Sequence, residues 1–140
     1  MRRQEGFRML QFIYISTATA PVTRSMVERI LARSRQNNER DALTGLLYSD
    51  GKRFMQVLEG EASVVERTVA RIGKDSRHRG IVRLSERMIE TREFGDWAMA
   101  HHSHGEDAKA FVEEVGRRVA NASPAVRGTF EGLAAHRSAA

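Results

Sequence analysis

At 140 residues, with a formal net charge of +5, the chain has the size of one domain built on a single core. It contains no cysteine, which excludes disulfide staples, thiolate metal sites and cysteine nucleophiles. No stretch approaches the roughly 18 to 20 apolar residues that span a bilayer, and the basic start Met1 to Arg8 leads into no export signal, so the reading is a cytoplasmic protein with no membrane role; an excess of Arg alone describes a solvated surface and does not specify nucleic acid.

Met9 to Ser16 is an apolar run around Phe12, Ile13, Tyr14 and Ile15 and predicts a buried strand, ending in the small-residue turn Thr17 to Pro21. From Val22 to Gln36 the apolar positions Val22, Met26, Val27, Ile30 and Leu31 recur at helical spacing, with Ser25 and Glu28 as a capping-box pattern and Asn37-Asn38 closing the helix. Ala42 to Tyr48 and Arg53 to Glu59 flank Asp50-Gly51, a hairpin signal, because glycine tolerates positive φ. A second helix is expected from Ala62 to Lys74, with Ser63 and Glu66 as its capping box, followed by strands over Ile81 to Glu90 and Trp97 to His102. Glu106 to Ala120 and Pro124 to His136 read as short amphipathic helices that could cover the free face of the sheet.

The order β-α-β-β-α-β-β predicts an α+β ferredoxin-like sandwich: a mostly antiparallel sheet with two helices on one face and a ligand groove between them. The chain divides into a charged extension (1–8), the sandwich (9–103) and a C-terminal helical extension (104–140). No nucleophile elbow, phosphate loop, dinucleotide fingerprint or zinc-protease motif occurs, so the expectation is a protein that is not an enzyme. His101, His102 and His104 lack the one-face spacing of metal ligands, and no metal is expected.

The informative residues are polar ones where the fold demands burial. Tyr14 lies mid-strand in Phe-Ile-Tyr-Ile-Ser, Gln56 lies mid-strand in Phe-Met-Gln-Val-Leu, and Asn37 and Asn38 end the first helix. Each has an ordinary role taken singly: a core phenol meeting a carbonyl, a glutamine on a solvated face, asparagines adopting the left-handed conformation at a helix end. Jointly they converge on the groove between the helices.

Five strings in order carry a resemblance to a known family. Phe12-Ile-Tyr-Ile-Ser16, Ser34-Arg-Gln-Asn-Asn38 with Leu43-Thr-Gly-Leu-Leu-Tyr-Ser49, Phe54-Met-Gln-Val-Leu-Glu-Gly60, Arg71-Ile-Gly-Lys-Asp-Ser-Arg-His78 and Arg92-Glu-Phe-Gly-Asp-Trp-Ala-Met99 resemble the BLUF domains, blue-light sensors using FAD, over Leu10 to His102. The resemblance implies a non-covalent flavin, FAD or alternatively FMN, between the two helices, with Tyr14 hydrogen-bonded to Gln56 and Gln56 at the flavin N5 and O4 edge. It implies Asn38 at O4 and N3, Asn37 and Arg71 near O2, Ser34 facing the ring, Arg77 and His78 near the phosphoribityl chain, and Asp75 supporting Arg71. Light-driven electron and proton transfer from Tyr14 would make Gln56 rotate or tautomerise and shift absorption to the red. Trp97 and Met99 alternate on one strand, share a face, and are tied in the family to signal output, with either one able to face Gln56.

Output is then expected through protein contact, in a homo-oligomer, with a separate downstream protein partner, or both, with the C-terminal helices as interface. Other readings of the same topology are weaker. An RNA-binding module needs adjacent exposed rings, and the strands offer only Phe54 and Tyr14; a small acylphosphatase-like enzyme needs an anion loop, and Thr17 to Pro21 has neither Gly nor Arg. A light-insensitive interaction module on the same fold remains the main alternative.

Overall fold

Aromatic and β-branched residues dominate the first apolar run. The computed structural model, which describes residues 9–49, 52–95, 108–120 and 124–139, makes it the strand β1 (Met9–Ala18). There follow α1 (Arg24–Asp41), β2 (Thr44–Ser49), β3 (Arg53–Glu61), α2 (Ala62–Ile72), β4 (His78–Ile89), α3 (Ala108–Arg118) and α4 (Pro124–Ala139). The four strands form one sheet in the order β2-β3-β1-β4, and each neighbouring pair is antiparallel, which is the expected ferredoxin-like sandwich. The further strand expected over Trp97 to His102 lies outside the described residues, as do Asp50 and Gly51 of the hairpin turn. The two runs flanking that turn pair antiparallel as the sequence predicts, with Ser49 opposite Phe54.

Strand alternation sorts the core into two halves. Leu10, Phe12, Tyr14, Leu47, Phe54 and Leu58 project to one face, where they pack with Val27 and Leu31 of α1 and Val65 of α2. Ile13, Leu46, Tyr48, Met55 and Val57 project to the other, where they meet Phe94, Val115 and Val119 near α3, and Val126 and Phe130 of α4. The Tyr48 and Phe130 rings meet at 5.3 Å between centroids, tilted by 60°. The C-terminal helices therefore cover the second face of the sheet, and their described apolar residues are spent on this chain's own core.

Helix ends differ from expectation in instructive ways. Thr23 caps α1, its Oγ1 accepting the Met26 N–H at 3.1 Å, whereas Ser25 sits inside the first turn and accepts from Arg29. Asn37 and Asn38 do not close the helix: it runs on to Asp41, and the left-handed residue is Ala42 (φ 56°), after which the Leu43 N–H returns to the Asn38 carbonyl at 2.8 Å. In α2, Ser63 makes no cap and donates instead to Glu61, because the helix begins two residues earlier than a Ser63 cap would place it, with Glu61 at the cap position.

Against β1, β4 carries two extra residues, one where Ile13 and Tyr14 face Ser85 and Arg83, the other where Ile15 and Thr17 face Val82 and Arg79. Gly80 takes up the second bulge at φ +67°, a conformation costly for any residue with a Cβ. These bulges bend the start of β4, and with it His78, over the end of β1 that carries Tyr14 and Ser16.

Candidate functional site

A cavity of about 360 Å³ opens between α1 and α2 above β1 and β3. Helical spacing builds its walls: Ile30, Ser34, Asn37 and Asn38 recur at three to four residues along α1, as do Thr68, Arg71 and Ile72 along α2. Tyr14, Leu47, Phe54, Gln56 and Leu58 form the floor, and Asp75, Arg77 and His78 close one end. Ser34, Asn37, Asn38, Gln56, Arg71, Asp75, Arg77 and His78, singled out from the sequence as cofactor-binding candidates, all line this one space, together with Tyr14. Trp97 and Met99 lie outside the described residues.

Tyr14 and Gln56 are direct partners across β1 and β3, and the phenol donates to the amide Oε1. Both are buried, as is Asn38. Burial raises the Tyr14 pKa well above its ordinary value of 10.0, and the negative charge of Asp75 adds to the shift, so the group is held as a neutral phenol. Two aromatic neighbours fix the ring: Phe12 at 6.2 Å and His78 at 6.1 Å between centroids.

His78 joins three elements. Its Nε2 lies 2.8 Å from the Ile72 carbonyl, which can only accept, so Nε2 carries a hydrogen; Nδ1 lies 2.7 Å from Ser16 Oγ, two residues along β1 from Tyr14. Asp75 is where the structure departs from the sequence reading. Its carboxylate takes the Arg77 backbone N–H at 2.9 Å and the Arg77 guanidinium through Nε at 2.9 Å and through Nη2, so it supports Arg77 and not Arg71. The reason is local: a tight turn returns Arg77 onto a carboxylate two residues back, a closer partner than any helix residue. That pairing lowers the Asp75 pKa to about 2.

Several lining residues were not among the site candidates read from the sequence: Ile30, Arg33, Leu47, Leu58, Thr68, Ile72 and Lys74. Steps of three and four residues back along the helices lead from Asn37 to Arg33, from Asn38 through Ser34 to Ile30, and from Arg71 to Thr68. The donor set suits a flat heteroaromatic ring with an imide edge. Aliphatic side chains supply the faces, amides of Asn37, Asn38 and Gln56 can pair donors and acceptors with the edge, and the cations Arg33, Arg71, Lys74 and Arg77, all at least partly exposed, fit a phosphate-bearing tail at the open side.

The family model described as "Sensors of blue-light using FAD" matches residues 9–100. The chain belongs to the BLUF family. Among solved structures, the BLUF protein BlrB in its dark state superposes with a TM-score of 0.72 at 26% identity, covering 93% of this chain and 98% of that one. Klebsiella pneumoniae BlrP1, solved with FMN and cyclic diGMP, gives a TM-score of 0.70 at 25% identity over 93% of this chain and 34% of that one. The beta subunit of the Euglena gracilis photoactivated adenylate cyclase is 29% identical over 87 residues, which is 61% of this chain and 10% of that protein. The chain thus spans about a tenth of the length of the curated relatives it matches. A BLUF domain is a flavin-based sensor of blue light, and that is the function class of this chain.

Proposed function

We propose that this protein is a blue-light photoreceptor that holds FAD non-covalently in the α1/α2 cavity and itself catalyses no reaction. One observation carries the reading: the buried Tyr14 hydroxyl already donates to Gln56 Oε1 at the cavity floor. Asn38, Asn37, Ser34 and Arg71 would hold the ring, and Arg77 and His78 would hold the phosphoribityl chain. The rim cations favour a phosphorylated flavin, and of the two we assign FAD over FMN.

When bound, a flavin excited by blue light supplies a one-electron oxidant that returns to its starting state in the dark. The chain's own part begins at Tyr14. A neutral phenol that loses an electron becomes strongly acidic, and its proton moves to the acceptor it already touches, Gln56 Oε1. Gln56 would then present a donor where it had presented an acceptor, either as the imidic tautomer, in which Oε1 keeps the proton from Tyr14 and Nε2 gives one up toward the bound ring, or as the amide rotated so that Nε2–H takes the place of Oε1. On return of the electron, Tyr14 would regain a proton, equal in number to the one Nε2 released, so that Gln56 alone is left changed. The net change is a rearranged hydrogen bond, and Trp97 and Met99 are assigned to its readout. The output passes by protein contact, in a cytoplasmic homo-oligomer or to a separate partner.

The test is spectroscopic. Protein loaded with FAD shows a small, reversible red shift under blue light, and Tyr14→Phe and Gln56→Leu keep the flavin but lose the shift. Retention of the full shift in either variant overturns the relay, and a protein that refuses flavin overturns the photoreceptor.

A further inference from the structure

On the sheet face turned away from the cavity, four polar side chains form one row across every described strand. Thr44 of β2, Glu59 of β3, Gln11 of β1 and Arg87 of β4 are register partners, strand to strand. Glu59 and Gln11 have no solvent exposure at all. Gln11 Nε2 donates to Glu59 Oε2 at 2.7 Å, and Gln11 Oε1 accepts from Arg87 Nε at 3.1 Å. Thr44 Oγ1 completes the row at 3.4 Å from Glu59 Oε1.

The same carboxylate grips the chain leaving β4. It accepts the backbone N–H of Glu93 at 3.1 Å and of Phe94 at 2.9 Å. From α3, Arg118 donates to the Glu93 carbonyl at 3.2 Å and places its guanidinium 5.9 Å from the centre of the Phe94 ring. A buried carboxylate is costly unless fully bonded, and an apolar residue here would simply extend the core begun by Met55 and Val57. What the carboxylate adds is a fixed relation between β3, the segment after β4, and α3.

Its place on β3 gives that relation a use. Gln56 lies three residues earlier, about 10 Å along the strand. The rows Tyr14–Gln56 and Gln11–Glu59 belong to the same β1/β3 pair. A displacement of β3 against β1 at the first row is felt at the second, where two backbone N–H groups and Arg118 follow Glu59.

We infer that Glu59 is a positioning residue that couples the Tyr14–Gln56 switch to helix α3, an inference that rests on the photoreceptor reading above. Glu59→Gln replaces one acceptor oxygen by a donor that opposes Gln11 Nε2 or a loop N–H, while touching nothing in the cavity. The experiment compares FAD-loaded full-length protein in darkness and under blue light, by absorption and by hydrogen–deuterium exchange of Ala108–Arg118. The expected result is a light-dependent change in α3 exchange in the parent, lost in Glu59→Gln, with the red shift retained in both. Arg118→Gln, which leaves the buried carboxylate in place, gives the same split and decides the matter if Glu59→Gln does not fold. Retention of the light-dependent exchange in the folded variant overturns the coupling, as does a parent that shifts its spectrum without any change in α3. A parent that binds FAD and shows no red shift overturns the photoreceptor reading instead.

Discussion

Tyr14 and Asp75 set opposite ends of the pH range over which the site keeps its form. The Tyr14 pKa is raised, so folding contributes stability that is fully present below the unfolded value of 10.0 and is lost as pH rises beyond it. The expected outcome is a light response that stays flat through pH 10, because Tyr14 remains a phenol with a proton to give; a response that titrates away below pH 10 in folded protein contradicts it. The Asp75 pKa is lowered to about 2, so the turn it forms with Arg77 is stabilised above the unfolded value of 3.8 and loosens as pH falls through about 2. Flavin retention should follow that acid limb, and Asp75→Asn should remove the corresponding step. The sequence made Tyr14 and Gln56 legible because polar groups inside apolar strands stand out, and it misjudged Asp75 because partner choice on a turn depends on backbone path. Glu59 was passed over for the opposite reason: a charge at a strand end reads as solvent-facing, although it shares the buried face of Met55 and Val57.

At the level of the elements, close backbone approach decides one position in β2. A Cβ added at Gly45 would lie 1.9 Å from the Val57 carbonyl oxygen, an overlap no rotamer relieves, because the backbone fixes the Cβ position and the oxygen it meets is main chain. Gly45→Ala is expected to destabilise the fold by about 3 kcal/mol or more, read as a fall in the urea midpoint, since it separates β2 from β3. The sequence of elements and the ferredoxin-like sandwich were readable from the apolar runs of β1, β2 and β3 and the helical spacing between them. Helix ends were not, because Ser, Thr and Asn recur every few residues around α1, and only the chain's entry angle selects Thr23 and only the turn into β2 selects Ala42. The two bulges of β4 left no trace beyond Gly80, since an extra residue in a strand follows from what lies opposite it.

Taken as a whole, the molecule is layered, with α1 and α2 above the sheet and α3 and α4 below it. Phe130 and Val126 belong to the same buried cluster as Ile13 and Met55, so the helical extension closes the core on that face of the sheet. Phe130→Ala is expected to cost about 3–5 kcal/mol of stability, measured by chemical denaturation. By the same packing, truncation after His104 would bare that face, and any change in oligomer size it produced would reflect exposed core as much as a lost interface. The described sheet also has a long border at β4, twelve residues with Val82 and Met88 in solvent. A straight border of that length invites another strand to add itself and begin a fibril. Arg79 and Arg83 put charge along it, and the two bends near Tyr14 break its register into short pieces. Among the described residues, the bends that carry His78 to the cavity therefore also work against the addition of a further strand along this border.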